Sequence, residues 1–191
     1  MRVEYEESLK NLKQGKVILC PTDTIWCLSC DATNVEAVNK IIEIKKRNTD
    51  KSFIVLVNSL NMLGLYINTF PDFAVDILEY SADPVTIIFS KGVKLAPGVI
   101  NEDGSVAIRL VKGTNDESKF CNELIRKFNK PIVSTSANFS GEPSPQFFNA
   151  IPEAIKEQVD FIVPYFQQAT IPKAPSKIIK MNDDGTFKVL R

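Results

Sequence analysis

Apolar residues recur first at helical spacing, then in short continuous runs, and the two patterns alternate along the chain. Tyr5, Leu9 and Leu12 share one face of a helix that stops at Gly15, and 16–20 (KVILC) is an apolar run of strand type. Over 34–47 (NVEAVNKIIEIKKR), Val35, Val38, Ile41, Ile42 and Lys45 lie along one face, with Thr33 or Asn34 as N-cap. Its basic end, Lys45 to Arg47, suits a helix C-terminus, where the last carbonyls carry partial negative charge. Strands follow at 53–57 and 84–89, separated by two short helical stretches broken near Pro71. A Pro97-Gly98 loop then precedes the alternating strand 105–110 (SVAIRL). The helix 117–128 leads to the strand 131–135, and 147–159 is a weaker helix. The last two runs, 176–181 and 187–191, flank Asn-Asp-Asp-Gly as a closing hairpin.

This order predicts an α/β fold. Helix spacing is too irregular for a doubly wound arrangement and the hairpins demand mixed strand directions, so the expectation is a twisted, largely mixed sheet with helices packed on it. At 191 residues and 44% hydrophobic, the chain can bury an ordinary core as one domain, 1–191. Lysine and arginine number 23, as do aspartate and glutamate, so no global field drives the chain onto nucleic acid or an anionic membrane; any polyanion site is local. The N-terminal stretch lacks a signal-peptide pattern and nowhere do about 18 apolar residues run together, which points to a cytoplasmic protein. Histidine is absent, so no Ser-His-Asp or Cys-His machinery can exist.

Candidate chemistry concentrates in four places. The stretch 127–145 (KFNKPIVSTSANFSGEPSP) sets Ser134, Thr135, Ser136, Asn138, Ser140 and Ser144 on the end of a strand, where hydroxyls and backbone N–H groups can converge on an anion or merely satisfy their own turns. Lys45, Lys46, Arg47 and Lys51 surround a polar turn, either a triphosphate clamp or a solvated charge run. Strand alternation puts Ser105, Ala107 and Arg109 on one face, a groove wall suited to bidentate carboxylate binding, unless the strand is an exposed edge. Cys27 and Cys30 (CLSC) suggest a redox pair or half a zinc site, but Cys20 and Cys121 add no closing motif and the expected state is four reduced thiols. Neither GxxxxGK[ST] nor GxGxxG occurs.

Taken in order, CPTDTIWCLSCDA, KKRNTDKSFIVLV, PVTIIF, SVAIRL and PIVSTSANFSGEPSP resemble the YrdC-like family of threonylcarbamoyl-AMP synthases, over roughly residues 8 to 191. The resemblance implies a nucleotidyltransferase that joins L-threonine, bicarbonate and ATP into threonylcarbamoyl-AMP, releasing pyrophosphate, for tRNA threonylcarbamoyladenosine modification. A transferase complex, and possible contact with tRNA itself, would finish the job. Carried over by position, Thr24, Arg109, Ser134 and Ser176 lie on the threonine side. Ser105, Ser136, Asn138, Ser144 and Arg191 lie on the nucleotide side, and Arg47 and Lys51 oppose charge on the departing pyrophosphate. Mg²⁺ would ride on the triphosphate, with no protein ligand assigned.

The chain departs from the family pattern in several places. Cys27 and Ser29 stand where glycines are usual; Asp23, the acid of the PTDT segment, is a candidate to take the proton from threonine's ammonium, as is bicarbonate or carbonate from solution. The turn RNTDKS lacks its common prolines, as YSADPVT lacks its Pro-Gly, and Lys177 follows Ser176 where a small hydroxyl is common. Two competing expectations are an RNA-binding module of the same fold and a relative that uses another carbamoyl compound.

Overall fold

The computed structural model describes residues 2–46, 52–168, 174–182 and 184–191. In chain order the elements are α1 (Arg2–Lys13), β1 (Ile18–Cys20), β2 (Cys27–Asp31), α2 (Val35–Ile44), β3 (Ile54–Val57), α3 (Leu60–Tyr66), α4 (Asp72–Tyr80), β4 (Val85–Phe89), β5 (Val106–Leu110), α5 (Asp116–Phe128), β6 (Ile132–Ser136), α6 (Glu153–Lys156), β7 (Phe161–Ile162), β8 (Lys177–Met181) and β9 (Phe187–Val189).

The strands form a mixed sheet in the order β7-β1-β2-β6-β3-β5-β4-β8-β9. Pairs β1–β7, β3–β5 and β4–β8 are parallel and the other five antiparallel, so both local hairpins and helical crossovers build it. Its middle strands read as near-continuous apolar runs because they are buried on both faces: Val55, Leu56, Ile87, Ile108, Ile132 and Val133 all lack solvent contact. Each such aliphatic side chain contributes on the order of 2 kcal/mol on leaving water.

Helices form where the sequence gives both a cap and a stripe. Asn34 is the N-cap of α2, its Oδ1 accepting from Ala37 N at 3.1 Å, and Ala37, Val38, Ile41 and Ile44 form the buried stripe, with Val35 left outside. In α5 a reciprocal box joins Asn115 and Ser118, and Asn129 ends the helix in the left-handed conformation at φ 58°. α5 packs on α1 and on β3, with Cys121, Leu124 and Ile125 fully buried.

Two expectations are corrected. The single helix at 147–159 is instead a 3₁₀ turn, Phe148–Ala150, followed by the one-turn α6, because Pro152 has no N–H to continue a ladder and sits at the cap between them. The stretch read only as a motif after β1 contains β2, a central strand whose five residues are all buried, including Ser29 and Asp31. Among the described residues no helix is long and apolar enough to cross a membrane.

Candidate active site

Strand register places the chemistry. Cα partnerships run from Cys20 to Cys27 to Ser136, from Ser134 through Ile54 and Ala107 to Ile88, and from Arg109 through Thr86 to Ile178. Paired residues point to the same side of a sheet, so these share one face. On it opens a cavity of about 440 Å³ whose walls include Thr24, Cys27, Lys45, Arg109, Ser134, Ser136, Asn138, Ser144, Ser176 and Arg191. Strands as far apart in sequence as β2 and β8 thus deliver Thr24, Arg109, Ser134, Ser136, Asn138, Ser144, Ser176 and Arg191 to one spot.

On one wall, Arg109 rises from β5 and is 2% exposed. Its Nη2 lies 3.0 Å from Asp23 Oδ1, yet the approach is too oblique for a hydrogen bond. Nε and Nη2 of the guanidinium, and that carboxylate oxygen, have no hydrogen-bond partner among the described residues. Beside it on the neighbouring strands, Thr86 Oγ1 and Ser176 Oγ are 2.7 Å apart. Arg191 donates from Nε to Ser176 O at 3.1 Å, and burial, with help from the Arg109 guanidinium, holds its own guanidinium below the usual value. Thr24 is fixed by the leading turn: Thr22 Oγ1 accepts from Thr24 N, stands 3.0 Å from Thr24 Oγ1 and donates to Ile25 O at 2.8 Å.

The serine-rich loop also lines the cavity, and its geometry narrows one expectation. Four of its backbone N–H groups are turned to protein carbonyls and are not offered to an anion. Ala137 N donates to Trp26 O, Asn138 N to Ser136 O, Ser140 N to Lys45 O and Glu142 N to Phe139 O. Instead the loop turns carbonyls toward Lys45, whose buried ammonium donates to Ser136 O and, at 2.7 Å, to Asn138 O. Asn138 stitches the loop from within, giving Nδ2 to Phe139 O at 3.0 Å and Glu142 O at 2.7 Å. The hydroxyls of Ser134, Ser136, Ser140 and Ser144 are what the loop presents.

Ser105 does not reach the cavity. It precedes β5, and its hydroxyl donates to Asp103 Oδ1 at 2.5 Å and accepts from Asn101 Nδ2 at 2.8 Å, closing the turn before the strand. Arg47 and Lys51, with the residues between them, lie outside the described residues. Lys45, read from sequence as part of a helix face or a charge run, is a wall residue. The signal that could have found it is an ammonium one position past the apolar stripe, where the helix end meets the sheet.

The cysteines are free and buried. Cys27 and Cys30, three apart on an extended strand, point to opposite faces, which rules out a redox dithiol in this fold. Cys27 lines the cavity; burial pushes its thiol up, partly opposed by Arg109, Ser134 and Thr22. Ser29 is fully buried, its hydroxyl without a partner among the described residues, and it lies outside the lining. Lys177 points outward to Asp83 at 2.7 Å.

Comparison with known proteins places the fold and the family. The threonylcarbamoyl-AMP synthase of Vibrio campbellii is 30% identical over 191 residues, covering 98% of this chain and 97% of its own. A P. abyssi Sua5 crystal structure complexed with L-threonine superposes with a TM-score of 0.83 at 22% identity, covering 98% of this chain; this chain spans about half of that protein, 53%. E. coli YciO superposes at 0.80, also 22% identical, over 100% of this chain and 88% of that one. The family model named for Sua5, YciO and YrdC, described as "Telomere recombination", matches residues 10–191, and the chain belongs to that family.

Proposed function

We propose that this chain is a threonylcarbamoyl-AMP synthase, a nucleotidyltransferase working in the cytoplasm on L-threonine, bicarbonate and ATP. The observation that carries the reading is Arg109: a guanidinium on the cavity wall with two buried N–H edges lacking acceptors, flanked by Thr24, Ser134 and Ser176. A planar fork of that kind fits an amino-acid carboxylate through two parallel hydrogen bonds, and a hydroxyl-lined wall fits the nucleotide oxygens.

The amine of threonine and bicarbonate combine, with loss of water, to a carbamate. Its oxygen attacks the α-phosphorus, the bond from that phosphorus to the bridging oxygen breaks, and pyrophosphate leaves with the electron pair. Arg109 holds the carboxylate end, so the carbamate is set in line instead of arriving by diffusion. Negative charge gathering on the leaving group meets Lys45 and Arg191 on the walls, and Arg47 and Lys51 are proposed as further cations there. Positioning and charge do the work, and no covalent protein intermediate is needed.

A Mg²⁺ ion fits the donor set as a passenger of the triphosphate: the described lining offers serine hydroxyls and the single carboxylate of Glu142, and no three acid, thiol or imidazole groups cluster among the described residues. Such an ion would neutralise phosphate charge, and Glu142 is the acidic side chain that the described lining would offer it. Ser136, Asn138 and Ser144 are proposed on the nucleotide side. The product would pass to a transferase complex acting on tRNA. An RNA-binding role alone leaves the buried Arg109 fork without a purpose, and another carbamoyl compound lacks a feature that favours it. The test is pyrophosphate release: it should require threonine and bicarbonate together, and release that ignores threonine overturns the reading.

A further inference from the structure

Resting on that reading, we propose that Asp23 is a specificity-determining positioning residue: by neutralising Arg109 from behind, it keeps that guanidinium for an amino-acid carboxylate and out of the reach of polyphosphate. The geometry has three parts. Arg109 lines the cavity whereas Asp23 does not, although Asp23 Oδ1 lies 3.0 Å from Arg109 Nη2 and its side chain is 8% exposed. The contact is an ion pair without an aligned hydrogen bond, so it compensates charge without taking up the N–H directions of the fork. Asp23 is also held rigidly, because it sits inside the turn that Thr22 closes through Thr24 N and Ile25 O.

The cavity needs such a device because it must hold a zwitterionic amino acid beside a polyanion. Arg109 and Arg191 both line the cavity, Arg109 near enough to disfavour the charge on Arg191, and Lys45 adds a third cation. Two unopposed guanidinium groups facing one pocket form a phosphate clamp, and a triphosphate carrying several charges would take both, displacing the amino acid. Lys45 differs in being tied to the carbonyls of Ser136 and Asn138. With Asp23 beside it, Arg109 presents a compensated fork: hydrogen-bonding directionality remains, and long-range pull on a polyanion falls. A zwitterionic amino acid loses little by this, since its own net charge is zero.

The experiment measures threonine and tripolyphosphate binding by calorimetry, and threonine kinetics by pyrophosphate release, on the unaltered chain, Asp23→Asn and Asp23→Glu. Tripolyphosphate should not compete with threonine on the unaltered chain; competition there overturns the proposal whatever the variants do. In Asp23→Asn tripolyphosphate should become competitive with threonine, the threonine KM should rise roughly tenfold or more, and kcat should change far less. Asp23→Glu should restore the non-competitive pattern. Equal loss of kcat in both variants with no change in competition, or failure of both to fold, would show Asp23 to be a structural counter-ion and overturn the proposal. Absence of threonine-dependent turnover in the unaltered chain would instead defeat the synthase reading, while the binding measurements still decide the role of Asp23.

Discussion

At the residue scale, the cavity is a set of polar groups whose needs the protein leaves partly unmet. Buried N–H and C=O groups are almost always partnered, and an orphan costs on the order of 1–3 kcal/mol. Among the described residues six buried side-chain atoms are such orphans: Arg109 Nε and Nη2 and Asn138 Oδ1 belong to cavity-lining residues and Asp23 Oδ1 is the ion-pair partner of Arg109, whereas Ser29 Oγ and Tyr5 OH lie outside the lining. Unpartnered polar atoms gathered at one place mark where a ligand is expected to complete the bonding. Lys45 is the counter-example, a buried ammonium whose bonds to Ser136 O and Asn138 O shape the loop that carries the serines. Replacing it with methionine keeps the stem and removes the charge, leaving two inward carbonyls unsatisfied. Lys45→Met should therefore destabilise the fold by about 1–3 kcal/mol per orphaned carbonyl and, by releasing the serine loop, lower kcat/KM at temperatures where the variant is still folded. Steady-state kinetics beside a thermal melt would separate this from loss of fold.

At the element scale, each wall owes its position to caps and register. The Asn115–Ser118 box starts α5, and Asn115→Ala should cost about 1 kcal/mol, read from the urea midpoint, with the threonine KM unchanged. Asp160 links three elements, accepting from Val17 N at 2.9 Å before β1 and from Lys40 Nζ at 2.7 Å on α2. Partial burial pushes its carboxyl up, but Lys40 and the Val17 N–H outweigh that, and the net direction is down. A carboxylate with a depressed folded pKa contributes stability above its unfolded pKa and loses it as pH falls through the folded value. Asp160→Asn should thus melt lower than the unaltered chain at neutral pH, with the gap closing under acid. Elements of this kind were legible where apolar period and caps agreed, as in α2, α5 and β3 to β5. β2 was not: Ser29 and Asp31 are polar yet buried, so its alternation carries no face signal. Ser105 illustrates a related limit, for parity puts it on the right side of β5 but the Asn101–Gly104 turn claims its hydroxyl.

At the scale of the whole molecule, one mixed sheet brings β2, β5, β6 and β8 together so that a guanidinium, an ammonium and a row of hydroxyls face a shared space. No single segment holds enough of the site to bind anything; convergence is a property of topology, which sequence reading reached only through the family resemblance. The central claim is that Arg109 is the anchor for an amino acid beside a nucleotide. Titrating threonine in a pyrophosphate-release assay at saturating ATP and bicarbonate, on the unaltered chain and on Arg109→Ala, tests it most directly. The account predicts saturable, threonine-dependent release whose KM rises roughly 100-fold in the variant, as expected for about 2–3 kcal/mol of charge-assisted hydrogen bonding. An unchanged threonine KM in a folded Arg109→Ala protein would contradict it.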